Sequence, residues 1–249
     1  VYFRGKQFPL SIKMLAKNCF LLLRNRIFIG NYPLSKGLQV AVAEIDRGYW
    51  RFYQDNQYAG YYSLQKPLDC VSGVKQESIR SETALGWDIS HSRRIIRLLS
   101  VSEHNNIAVA KYLGVEYKNF LNSNTTNAFV NQLVYKIWNK SKSFPLFSNY
   151  WNGENGWYRV GYNNGSNKCQ EGTPPYGLSF SFPTGGYITW GKYNSIIMQL
   201  GIRLLQLSLS KKKEDVEFMN LYYAILSMGE RNDAKRYNLL MFYSSLIGV

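Results

Sequence analysis

Apolar residues recur at intervals of three and four along most of this chain, and strict two-residue alternation is scarce. That periodicity buries one stripe of a helix and is the strongest constraint on the fold. Residues from about Leu10 to Phe28 read as an amphipathic helix that Asn31-Tyr32-Pro33 breaks. Ser35 is expected to cap a second helix running through Val40, Val42 and Ile45 towards Phe52. A helix opening at Asp88 runs to about Val101, and a shorter one covers about Glu103 to Leu113, with Gly114 to end it. Thr125 or Thr126 is expected to cap a helix carrying Phe129, Leu133, Val134, Ile137 and Trp138. Three more are predicted, over about Tyr187 to Leu209, Lys213 to Met228 and Asp233 to Leu246.

The pattern predicts a mainly α fold: helical hairpins in series, as in an α-solenoid or a complete or incomplete α/α toroid, with long aromatic loops and minor β structure. At 249 residues with 45% apolar side chains, the chain reads as a single mainly helical domain over 1–249. A loop from Lys142 to about Gly186 holds four of the seven prolines, and loops of that length in compact domains usually carry function.

Lys and Arg total 30 against 16 Asp and Glu, a formal charge of +14. Such a balance favours an anionic partner. The basic residues are dispersed, however, with Lys211 to Lys213 the only run, so nucleic acid is not the expected one. Three cysteines form no disulfide framework and no zinc spacing. Cys19 reads as a small core residue, while Cys70 and Cys169 lie in loops and could pair across the fold. With two histidines, a metal site built on several of them is excluded, and no cofactor motif is present. No apolar run approaches the ~20 residues a membrane span requires.

The chemistry concentrates in three segments. In Leu85-Gly86-Trp87-Asp88-Ile89-Ser90-His91-Ser92-Arg93-Arg94, a Gly-Trp turn enters a helix whose first turns carry an acid, an imidazole and cations. Positions 88, 91, 92, 95 and 99 share one face, so the helix is anchored at its apolar end and titratable at its mouth. Asp88 reads as an N-cap, as an acid, or as both. His91 reads as a general base or a substrate-binding donor, one turn from Asp88 and beside Arg94. A second segment, Tyr49 to Tyr61, mixes rings with amides and includes Asp55 and Tyr58. Rings of this kind stack on apolar sugar faces while polar groups take the hydroxyls. The third, Asn149 to Tyr162, has Asn-Gly turns and is expected to project Trp151, Trp157, Tyr158 and Arg159 outward, with Glu154 beside them.

The succession of helical hairpins and long aromatic loops, with an acid opening a helix after the Trp87-Asp88 turn, resembles the α/α-toroid carbohydrate-active enzymes, the polysaccharide lyases and related glycoside hydrolases. The resemblance is architectural and spans roughly residues 35–246; no family-defining motif is matched in full, and complete toroids are usually longer. It implies a glycan-active enzyme, with Asp88, His91, Tyr158 and Glu154 as candidate catalytic residues. Trp87, Arg94, Arg159, Trp151, Trp157, Tyr58 and Asp55 are the candidate substrate-binding residues. A lyase would use His91 or Tyr158 as base and Arg94 or Arg159 to neutralise a uronate. A hydrolase would need a carboxylate pair drawn from Asp88, Glu154, Asp55, Glu77 and Glu82. The net charge suits an acidic polysaccharide, in a secreted or periplasmic setting. The competing readings are a non-catalytic binding or scaffold subunit of a larger assembly, and a nucleic-acid binder.

Overall fold

The computed structural model describes residues 8–47, 86–116, 121–153, 178–226 and 233–247. They are mainly helical, with one two-stranded sheet. Helix α1 spans Leu10–Arg26 and leads into strand β1, Ile27–Pro33, which pairs antiparallel with β2, Gln39–Ile45. Helix α2 is Ile89–Leu113, and α3 is Ser123–Gln132, continued by a π-helical turn over Leu133–Ile137. A short helix α4, Ser181–Thr184, and a 3₁₀ turn, Tyr187–Lys192, precede α5, Ser195–Leu209. Helices α6, Lys213–Tyr222, and α7, Asp233–Ile247, follow.

The hairpin corrects the expected second helix. Lys36 and Gly37 both adopt left-handed backbone, with φ of 61° and 74°. The tight reversal is closed by the Leu34 N–H donating to the Leu38 carbonyl at 2.7 Å. The β-branched residues Val40, Val42 and Ile45 then run as a strand. Its last four residues are buried on both faces, which erases the alternation that normally announces a strand.

Helix α2 is continuous through Val101 to Glu103, where two helices were expected, and Ser102 is buried there. It ends at Gly114 as expected: Gly114 is left-handed at φ 66° and donates to the Ala110 carbonyl. The next helix is capped by Asn122, whose side chain accepts from the Thr125 N–H. Cys19 is exposed rather than in the core, because no residue of α1 is buried. Among the described residues no helix is long and apolar enough to cross a membrane.

One apolar cluster joins Ala43 and Ile45 of β2, Ile95 and Leu99 of α2, Phe129 of α3, Leu204 of α5 and Phe242 of α7. Strand β2 meets α3 through polar contacts as well. Glu44 is buried, yet it accepts from Lys136, Arg47 and Gln132, so its charge is compensated. Gly86 brings the entry to α2 against β2: a Cβ there would lie 2.8 Å from the Ile45 carbonyl oxygen. Gly86→Ala is therefore expected to destabilise the fold by roughly 1–3 kcal/mol, measured as a lower urea midpoint at unchanged slope. An unchanged midpoint would mean that the two segments separate freely.

Candidate functional site

The mouth of α2 is assembled from three chain segments. Residues 149–151 run antiparallel to 87–89. The Ile89 N–H donates to the Asn149 carbonyl at 2.8 Å, and the Trp151 N–H to the Trp87 carbonyl at 2.9 Å. From below, the Tyr187 hydroxyl donates to the Ile89 carbonyl at 2.6 Å. Tyr187 stacks on Trp151 with 5.7 Å between ring centres. Burial, with the Asp88 charge second, pushes the Tyr187 phenol well above its ordinary pKa against the opposing pull of Arg93, so it stays a donor. The first turn of α2 is thereby held on a rigid aromatic floor.

On that floor Asp88 is the N-cap that the sequence led one to expect, and it also faces His91. Its Oδ1 accepts from the Ser90 N–H at 2.8 Å, the His91 N–H at 3.0 Å and the Ser90 hydroxyl at 2.6 Å. These bonds satisfy helix N-terminal donors that have no intrahelical acceptor. Its Oδ2 lies 2.6 Å from His91 Nδ1. A carboxylate oxygen can only accept, so the ring proton sits on Nδ1 and leaves Nε2 as the basic nitrogen. The Asp88 side chain is 11% exposed and that of His91 40%, which orients the imidazole from within and opens it to solvent.

Of the remaining candidates, Arg94 is exposed three residues beyond His91, one turn along the same helix. It forms no ion pair among the described residues. Trp87 is partly buried and packs on the apolar cluster. Trp151 corrects the expectation of an outward-facing ring: it is 1% exposed, and its Nε1–H donates to the Ala43 carbonyl at 2.9 Å. Its neighbours Phe129, Tyr187 and Trp190 complete an aromatic core beneath the site. The Asn-Gly turn signal locates a turn but not which of its rings faces inward. Glu154, Trp157, Tyr158, Arg159, Asp55 and Tyr58 lie outside the described residues, as do Glu77, Glu82, Cys70 and Cys169.

Ser90 and Tyr187 were not singled out from the sequence. Ser90, two residues after a capping Asp, carried a local signal, because a hydroxyl there can reach back to the cap. Tyr187 carried none, since its contact with Ile89 spans 98 positions. Among the described residues no three His, Cys, Asp or Glu side chains come together as metal ligands. Comparison with protein families, with curated proteins and with solved structures finds no match.

Proposed function

We propose that the protein cleaves an acidic polysaccharide by β-elimination, with His91 as the catalytic base and Asp88 as its positioning residue. The observation that carries this reading is the Asp88–His91 pair: Nδ1 is tied to a buried carboxylate at 2.6 Å, while the ring reaches solvent. In the reaction, Nε2 takes the proton at C5 of a uronate. The C–H electron pair forms the C4=C5 double bond, the C4–O bond breaks, and the departing glycosyl oxygen takes a proton from water. Carbanion character at C5 spreads into the uronate carboxyl, and Arg94, one turn from the base, supplies the cation that offsets it.

Hydrolysis fits Asp88 less well. A general acid must present an oxygen to the leaving group. Oδ1 already accepts from three donors and Oδ2 from His91. An α/α-toroid arrangement of the helical hairpins belongs to the same proposal, and the net charge of +14 favours a polyanionic chain over a neutral one.

The alternative of a non-catalytic subunit draws on α1. Ile12, Leu15 and Leu22 share one side of this helix and are 44%, 64% and 60% exposed, a face suited to burial against another chain.

The test is a panel of polygalacturonate, alginate, hyaluronan and heparan sulfate beside neutral amylose. Cleavage is expected on at least one acidic chain and not on amylose, read as new reducing ends. Well-folded protein that cuts none of the acidic chains would overturn the enzymatic reading and leave the subunit reading standing.

A further inference from the structure

A concave site lies on the other flank of α2. At about 100° per residue, Arg97 sits roughly 120° and His104 roughly 140° around the helix from His91. These two side chains, with Lys192 of the 3₁₀ turn, line a cleft of about 500 Å³ between α2, residues 185–193 and α7. The volume is within the usual range of small-ligand sites. Arg97, His104 and Lys192 are its basic side chains, and no carboxylate is among the described lining residues.

Arg97 and Lys192 form no ion pair among the described residues. His104 spends Nδ1 on the Ser100 carbonyl at 2.7 Å, which leaves Nε2 as its open nitrogen. The nearby carboxylate, Glu103, is consumed: one oxygen accepts from the Thr126 hydroxyl and the other from the Tyr193 hydroxyl. Thr126 and Tyr193 themselves belong to the lining, so this network stiffens one wall, with the Glu103 carboxylate behind the two hydroxyls and its oxygens already engaged. Burial and the Glu103 bond raise the Tyr193 phenol far above its usual pKa, so it remains the donor in that bond. The apolar part of the lining is Ile96, Val101, Trp190 and Met241, with Ile96 and Trp190 buried in the core.

We propose that this cleft binds a small organic anion, a sugar-sized body bearing a phosphate or carboxylate, with Arg97 and Lys192 on the charged group and the Ile96–Trp190 floor beneath the body. Cations that no described carboxylate pairs are left to the ligand, and an apolar floor beside hydroxyls suits the body of a sugar. The site goes beyond the proposed cleavage and does not depend on it, since it shares no lining residue with the Asp88–His91 pair.

Calorimetry on the full chain tests it, with glucose 6-phosphate, glucuronate, inorganic phosphate and glucose as probes. One of the two anionic sugars is expected to bind, with glucose and inorganic phosphate each roughly tenfold weaker or more. Arg97→Gln and Lys192→Gln are surface changes that preserve the fold; each is expected to weaken binding by roughly tenfold, whereas His91→Ala leaves it intact. The phosphate and carboxylate arms tell which group is recognised. Failure of both anionic sugars to bind, or binding unaffected by both substitutions, would overturn the proposal. Equal affinity for inorganic phosphate would overturn the part played by the floor.

Discussion

Asp88→Asn is expected to lower the rate of polysaccharide cleavage by roughly 10²–10⁴-fold while leaving the fold nearly as stable as before. The substitution keeps shape and keeps the cap. An Asn Oδ1 can still accept from the Ser90 and His91 backbone N–H groups, and Asn caps helices as well as Asp does. What changes is the group facing the imidazole. In place of Oδ2, 2.6 Å from Nδ1, stands an amide that donates. The ring answers by accepting at Nδ1 and carrying its proton on Nε2, the nitrogen that takes the proton from the substrate in the proposed reaction. The stability readout is a thermal melt and the functional readout is kcat; a rate loss with a melt close to wild type separates positioning from folding. Full activity in Asp88→Asn would mean that the pair is structural only.

The second large effect is on stability. Trp151→Ala is expected to cost roughly 3–5 kcal/mol, a large part of the roughly 5–15 kcal/mol that holds a domain folded. The ring is 1% exposed, stacks on Tyr187 and meets Phe129 and Trp190. Its removal leaves a cavity at the junction of β2, α3 and the mouth of α2, and it strips the Ala43 carbonyl of the Nε1–H donor. Trp151→Phe separates the two contributions: it restores most of the volume but not the donor, and is expected to cost roughly 1–3 kcal/mol. Urea denaturation checks both. An alanine variant within 1 kcal/mol of wild type would contradict the picture of Trp151 as the floor of the site.

The local signals in the sequence carried furthest. Asp88 before an apolar-periodic run announced a helix start, and Gly114 after Leu113 announced its end; both are met because capping chemistry is settled within a few residues. The juxtaposition of Asp88 and His91 was readable for the same reason, since residues three apart on a helix are neighbours. The hairpin was not readable. Ser35 offers a helix cap while the β-branching of Val40, Val42 and Ile45 favours a strand, and the partner that decides between them is β1. Trp151 was misplaced because its acceptor, Ala43, is 108 positions away. His104 reads as a surface residue and is exposed, yet it lines a cleft with Lys192, which sits on a different element. In each case the missing information was a long-range contact rather than a propensity.

The central claim is that His91 removes a proton from the substrate. It is tested most directly by the ultraviolet absorbance of an unsaturated uronate, followed on acidic polysaccharides with wild type and with His91→Ala. The absorbance is expected to rise with wild type on at least one substrate and to stay flat with His91→Ala, with a melt showing that the variant is still folded. New reducing ends without that absorbance, or an undiminished rise with His91→Ala, would contradict the claim.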